Sequence, residues 1–150
     1  MKAIKYYTGI GLAVLLCVCL WACLKPVPVD VVIIGNDVCF VLEDEREVSA
    51  VQVTVFNPDK KDPRGKTMWM AGHDLATPVA ERKYPRLKQI KYGQALNEFP
   101  QVIGPAPLKR NVEYLVAIDM GDKFAREVFI ITDDNHIVMP RNKNKGESAR

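Results

Sequence analysis

Hydrophobic and polar residues alternate with a period of two along much of this chain. The clearest case is residues 50–56, where Val51, Val53 and Val55 share one face and the residues between them are mostly polar. That period is typical of a β-strand with one buried face and not of an α-helix. The runs that predict strands are 27–33, 38–42, 50–56, 66–71, 87–92, 112–119, 124–132 and 137–139.

Turn-forming residues separate several of these runs. Gly35-Asn36-Asp37, Met120-Gly121-Asp122 and Asp133-Asp134-Asn135 each suit a tight connection between antiparallel strands. Seven or eight short strands of this kind predict an all-β fold, a single antiparallel β-sandwich of immunoglobulin-like size over residues 29–140. We expect Trp69 to pack between the two sheets of that sandwich.

The first 22 residues have a different pattern. Lys2 and Lys5 precede an uncharged apolar run from Ile10 to Ala22. A basic start followed by a short apolar run is typical of a signal peptide. The run is shorter than the roughly 20 apolar residues of a membrane-spanning helix, although an anchor retained after export stays open as the alternative.

The end of this run resembles a bacterial lipobox, with the residues LWAC at 20–23. Cys23 follows a small residue and is the cysteine expected to be lipidated, whereas Cys17 and Cys19 read as apolar filler. We therefore expect residues 1–22 to be a lipoprotein signal peptide, and 23–28 to be a lipidated cysteine with an extended tether. Several acyl chains, palmitate among them, would attach the protein stably to a membrane. Leu24 after the cysteine favours the outer membrane, with the domain facing the periplasm.

Charge is concentrated at the two ends of the chain. The formal net charge is +3, but Lys2, Lys5 and the basic tail Arg141–Arg150 account for this excess. The domain between them is slightly acidic, which argues against nucleic-acid binding. We expect the tail to be solvated and disordered.

The sequence contains no recognisable catalytic constellation. Its two histidines, His73 and His136, occur without any HxH, HExxH or CxxC spacing, and no glycine-rich phosphate loop or GxSxG motif is present. Cys39 lies in an apolar run and is expected to be a buried, inert thiol. We therefore expect a binding protein and not an enzyme, with no metal, no cofactor and no small-molecule substrate.

Two connections between predicted strands could contact a protein partner. The loop at 57–66 is charged, with Lys60, Lys61, Asp62 and Arg64. The loop at 93–107 presents apolar and polar residues together, in Leu96, Asn97, Glu98 and Phe99. Long loops on a rigid β scaffold are common recognition surfaces. The alternative is that the second loop packs down and closes one end of the sandwich.

Several short motifs together resemble those of small periplasmic lipoproteins of enteric bacteria described as type VI secretion immunity proteins. They are the lipobox, DVCF at 37–40, Trp69, IKYGQ at 90–94, NVEY at 111–114 and the late run at 124–132. This resemblance implies a membrane-anchored, stoichiometric inhibitor that binds an antibacterial toxin and occludes its active site. It carries no toxin-contacting residue over to this chain. Members of that family often have further cysteines in the mature protein, whereas this sequence has only Cys39 besides the cysteine expected to be lipidated, Cys23.

Two other functions remain as alternatives. One is a structural β-sandwich lipoprotein of an envelope assembly such as a secretion apparatus. The other, a lipoprotein that binds a small ligand, is disfavoured because no polar residues converge on an aromatic site.

Replacing Cys23 by serine tests the anchor. We expect the Cys23→Ser protein to lose its acyl chains and to accumulate as an unprocessed precursor, which cell fractionation and metabolic labelling with palmitate would show. Cys19→Ser is the matched control and should be processed normally. A Cys23→Ser protein that is fully processed and still membrane-bound would contradict the prediction.

Overall fold

The computed structural model describes residues 26–57, 59–73, 76–95 and 100–140. Within these ranges the chain forms nine β-strands and one short 3-10 helix, Val79–Glu81. The strands are β1 (Val29–Ile34), β2 (Asp37–Glu47), β3 (Ala50–Phe56), β4 (Arg64–Gly72), β5 (Arg86–Lys91), β6 (Gln101–Ile103), β7 (Glu113–Asp119), β8 (Phe124–Ile131) and β9 (Ile137–Val138). In this described part, no helix has the length and apolarity needed to cross a bilayer.

The strands form two sheets that pack face to face. The smaller sheet has the order β1-β2-β5, and the larger has the order β6-β4-β3-β7-β8-β9. All pairings between these strands are antiparallel. The predicted all-β sandwich is therefore confirmed.

The strands with the clearest alternation lie where the sequence predicts them, and two differences have a physical cause. β2 continues beyond Leu42 to Glu47, because its pairing with β5 resumes at Arg46 after a register shift. Residues 43–47 are charged and mostly exposed, so they leave no alternation to detect. β6 was not predicted, since all three of its residues are exposed.

The core lies between the inward faces of the two sheets. In the larger sheet, Val51 pairs with Ile118 and Val53 with Val116, and all four side chains are fully buried. In the smaller sheet, the buried Phe40 lies between Val31 on β1 and Ile90 on β5. Burying such side chains contributes about 1.5–3 kcal/mol each.

Aromatic rings join the two sheets at the centre of this core. Phe40 of the smaller sheet meets Phe129 of the larger sheet edge to face, with ring centroids 5.9 Å apart. Phe129 also contacts Tyr114, with centroids 5.6 Å apart. Trp69 is 1% exposed, as predicted for a core tryptophan, and its ring meets that of Tyr92 at 5.4 Å. Such pairs add about 0.5–1.5 kcal/mol beyond the area they bury.

Tyr92 fixes the smaller sheet to the larger one by hydrogen bonds as well. Its backbone N–H donates to the carbonyl of Val38 at 2.8 Å. Its hydroxyl lies 2.7 Å from the carbonyl oxygen of Ala106 and 3.2 Å from that of Met68. Burial, reinforced by the nearby Tyr114, raises the pKa of Tyr92 to about 12.

The two ends of the sandwich have different connections. At one end, which we call the tether end, β2 passes into β3 through Val48–Ser49, β4 ends at Gly72, and β7 turns into β8. At the opposite, distal end lie the Gly35–Asn36 turn, the loop at 57–63 and the turn at 132–136.

Val27 attaches the start of the described chain to the larger sheet. It forms a parallel bridge with Ala125, and its N–H donates to the carbonyl of Phe124 at 2.8 Å. Because β8 runs from the tether end to the distal end, this parallel bridge places Pro26 toward the tether end. The strand predicted to begin at Val27 therefore begins as a bridge to one sheet and continues as β1 in the other.

Replacing Tyr92 by phenylalanine should destabilise the fold by about 1–2 kcal/mol, since the hydroxyl hydrogen bond is lost and a carbonyl is left without it. The effect should depend on pH. The folded-state pKa of about 12 exceeds the ordinary value of 10.0, so the contribution of the hydroxyl is complete below pH 10 and is lost as pH rises through about 12. The stability difference between the two proteins should therefore shrink over that window.

Urea unfolding followed by the fluorescence of Trp69 would measure this difference at a series of pH values. Tyr84→Phe is the control, because the Tyr84 side chain is 37% exposed. A stability difference for Tyr92→Phe that stays constant from pH 8 to pH 12 would contradict the prediction.

Candidate functional site

The outward face of the larger sheet carries a groove whose floor combines small, apolar and polar side chains. The same alternation that turns Val51 and Val53 inward turns Gln52 and Thr54 of β3 outward. Across the strand pairing, Gln52 lies opposite Ala117 and Thr54 opposite Leu115. Ala117 in turn lies opposite Arg126 of β8.

Two adjoining cavities follow this face. One has a volume of about 350 Å³ and extends toward the β7–β8 turn, and the other has a volume of about 680 Å³ and extends from Pro26 to the loop at 61–64. They share Gln52, Ala117, Phe124 and Arg126 as lining residues. We call this combined surface the outer groove. Its central members are Ala50, Gln52, Thr54, Met70, Leu115, Ala117, Phe124 and Arg126. Lys61–Arg64 lie at the rim of the larger cavity, and Asp119, Asp122 and Lys123 line the smaller one.

The rim of the larger cavity of the outer groove is predominantly cationic. Lys61, Arg64 and Arg126 line the larger cavity, against the single carboxylate of Asp62. That carboxylate already accepts from the backbone N–H of Arg64 at 3.1 Å and from its side-chain Nε at 3.2 Å. These two hydrogen bonds hold the pKa of Asp62 below its usual range.

Arg126 is positioned by an aromatic ring. Its guanidinium carbon lies 5.1 Å from the centroid of the Phe124 ring, a cation–π contact. Within the residues described, no carboxylate lies within ion-pairing distance of this guanidinium. Arg126 thus presents an uncompensated positive charge beside an apolar ring.

Thr54 contributes a buried hydroxyl without a partner. The residue is 3% exposed, and its Oγ1 makes no hydrogen bond to any part of the chain that the structure describes. Leaving a buried hydroxyl unpaired costs about 1–3 kcal/mol. A valine of the same shape would avoid that cost, so the hydroxyl is not required by packing.

Of the partner-binding residues predicted from sequence, one group lies beside the groove. Lys61, Asp62 and Arg64 line its larger cavity, and Lys60 closes the preceding turn by donating its backbone N–H to Asn57. Leu96, Asn97, Glu98 and Phe99 lie outside the described residues, as does Cys23.

Pro100, which follows Phe99 in the predicted loop at 93–107, is described, and a hydrogen bond fixes its position. Pro100 accepts a hydrogen bond from the N–H of Gly72 at 3.0 Å, which puts it at the tether end. Arg64 pairs with Phe56 at the other end of β4. Pro100 and the 61–64 segment therefore lie at opposite ends of the larger sheet.

Sequence reasoning missed the floor of the groove. The polar alternation of Gln52 and Thr54 was visible, but their neighbours Ala117 and Arg126 come from strands far along the chain. Only the register of the sheet brings these residues together.

Among the residues that the structure describes, the histidines and acids do not form a metal-binding cluster. Nε2 of His73 is 2.7 Å from the carbonyl oxygen of Lys83, and His136 lies 3.5 Å from Asp134 in an exposed turn. In the ranges that the structure describes, no three histidine, cysteine, aspartate or glutamate side chains group around a common point.

Cys39 is buried, as predicted, but on the outer face of the smaller sheet and not in the inter-sheet core. It is 2% exposed, and Nε2 of Gln89 lies 3.7 Å from its sulfur. Beside it, Lys91 forms an ion pair of 2.7 Å with Asp37. Burial, and next the charge of Asp37, raise the pKa of the Cys39 thiol.

No family model, curated protein or solved structure matches the chain. The described fold is an all-β sandwich, and the groove on its larger sheet includes a cavity with a predominantly cationic rim.

The burial of Cys39 predicts slow thiol chemistry. When Cys17, Cys19 and Cys23 are replaced by serine, Cys39 is the one cysteine that remains in the chain. At pH 8 we expect Ellman's reagent to react at least about tenfold more slowly with the native protein than with the urea-unfolded protein, because access is blocked and the thiolate is disfavoured. Equal rates in the two states would contradict the placement of this side chain.

Proposed function

We propose that this protein is a lipid-anchored periplasmic protein that binds an antibacterial toxin and neutralises it by stoichiometric occlusion, as in type VI secretion immunity. The observation that carries the proposal is the outer groove. It is a sheet face of mixed apolar and polar side chains with charged residues at its rim, and among the described residues no strand or helix packs over it.

The chemistry of the surface suits protein recognition. The half-buried ring of Phe124 offers apolar area for burial, while Lys61 and Arg126 at the rim favour encounter with an oppositely charged partner. An occluding complex of ordinary size buries about 1,600 Å² in total. The groove with its flanking loop would form the central part of such an interface.

The proposed anchor is consistent with this use of the groove. Cys23 precedes Pro26 by three residues, and such a segment spans at most about 11 Å. Anchoring would therefore hold the tether end near the membrane and direct the distal end, with its charged 59–64 loop, away from it. Confinement at the membrane raises the effective concentration of the inhibitor where the toxin arrives.

Co-expression tests the proposal directly. The toxin encoded by the neighbouring gene would be exported to the periplasm of a susceptible strain, with and without the full-length protein. We expect survival to rise by at least about two orders of magnitude when the protein is present. The purified pair should also form a one-to-one complex by size-exclusion chromatography with light scattering.

Cys23→Ser provides the matched control for the anchor, and we expect it to reduce protection while leaving binding of the purified domain intact. Equal killing with and without the wild-type protein, together with no complex in solution, would overturn the toxin proposal. A neighbourhood made up of secretion-apparatus genes would instead favour the structural role in an envelope assembly.

A further inference from the structure

We propose that the outer groove binds a protein segment in which a carboxylate lies next to an apolar side chain. The identity of the protein that supplies this segment rests on the proposed function, but the chemistry of the segment follows from the groove itself. Three features of the groove are complementary to such a segment.

The first feature is charge. Lys61, Arg64 and Arg126 line the larger cavity, and only Asp62 opposes them. Because Asp62 is already bonded to Arg64, an excess of positive charge remains at Lys61 and Arg126. A carboxylate entering between these two side chains would gain charge-assisted hydrogen bonds, which are stronger than neutral ones.

The second feature is the preorganisation of Arg126. Its position over the ring of Phe124 holds the guanidinium plane at the wall of the groove. A guanidinium that is already ordered loses less conformational entropy when it binds a carboxylate. The same ring, together with the half-buried Ala117, presents apolar surface on which a neighbouring side chain of the segment would pack.

The third feature is the unpaired hydroxyl of Thr54. It lines the same cavity, is almost fully buried and has no hydrogen-bond partner in the described residues. The hydroxyl oxygen is covered in the free protein, so a bound segment would hydrogen-bond to it by displacing the side chains that cover it. Thr54 therefore costs stability in the free protein and recovers that cost in the complex.

Three peptide probes test the charge preference. They are fluorescein-labelled nine-residue peptides that alternate leucine with glutamate, with glutamine or with lysine, and binding to the full-length protein in detergent is measured by fluorescence anisotropy. We expect the glutamate peptide to bind at least tenfold more tightly than the glutamine peptide and the lysine peptide to show no binding. Equal affinity for all three peptides would overturn the proposal.

Substitutions in the groove test its location. Arg126→Gln and Lys61→Gln should each weaken binding of the glutamate peptide at least fivefold. Lys88→Gln, on β5 of the smaller sheet, removes an exposed lysine elsewhere and should leave binding unchanged. Unchanged binding in both groove variants would place the site elsewhere and overturn the proposal.

Thr54→Val separates recognition from folding. We expect it to raise the urea midpoint of the free protein and to weaken binding of the glutamate peptide at least threefold. Thr54→Ser is the conservative variant, which keeps the hydroxyl and should retain affinity. A Thr54→Val protein that is less stable and binds normally would contradict the role given to the hydroxyl.

Vesicles and the toxin assay distinguish the remaining outcomes. Binding of phosphatidylglycerol vesicles that depends on Lys61 and Arg126, without binding of the glutamate peptide, would assign the groove to lipid headgroups and overturn the proposal. If the wild-type protein protects cells and the Lys61→Gln, Arg126→Gln double variant protects equally, the groove inference fails and the proposed function stands. If the peptide series holds and the wild-type protein does not protect, the proposed function fails alone.

Discussion

The contact between Phe40 and Phe129 is the interaction on which the architecture depends, because it joins two sheets of very different size. The smaller sheet has three strands and the larger has six. Three strands need a hydrophobic face covered by another element to be stable. The rings of Phe129, Tyr114 and Trp69 of the larger sheet cover that face, with Phe129 in contact with Phe40 at the centre. The hydroxyl of Tyr92 adds a polar connection between the sheets.

This use of the inward faces restricts where a partner can bind. Side chains that point into the core pack against the other sheet and are not accessible to a partner. Recognition is therefore confined to the outward faces, the edges and the loops. On the larger sheet the outward face is partly apolar. It includes the buried hydroxyl of Thr54, which has no hydrogen-bond partner among the described residues. Binding sites commonly lower the stability of the free protein in this way.

The fold was predictable from sequence where burial imposes a period. β3 was predicted with its observed bounds because each of its neighbours in the sheet also has one buried face. β6 and the second half of β2 were not, since exposed strands held by backbone hydrogen bonds leave no alternation. The charged 60–64 loop was recognisable from composition. The groove that it borders was not, because Gln52, Ala117 and Arg126 become neighbours only through the register of three strands.

The bridge at Val27 has a mechanical consequence. The first described residues bond to both sheets in succession, Val27 to β8 and then Val29–Ile34 to β2. A force on the chain ahead of Pro26 would therefore act first on the Val27–β8 bridge and then on β1, so detaching this segment means breaking backbone hydrogen bonds to the two sheets in turn.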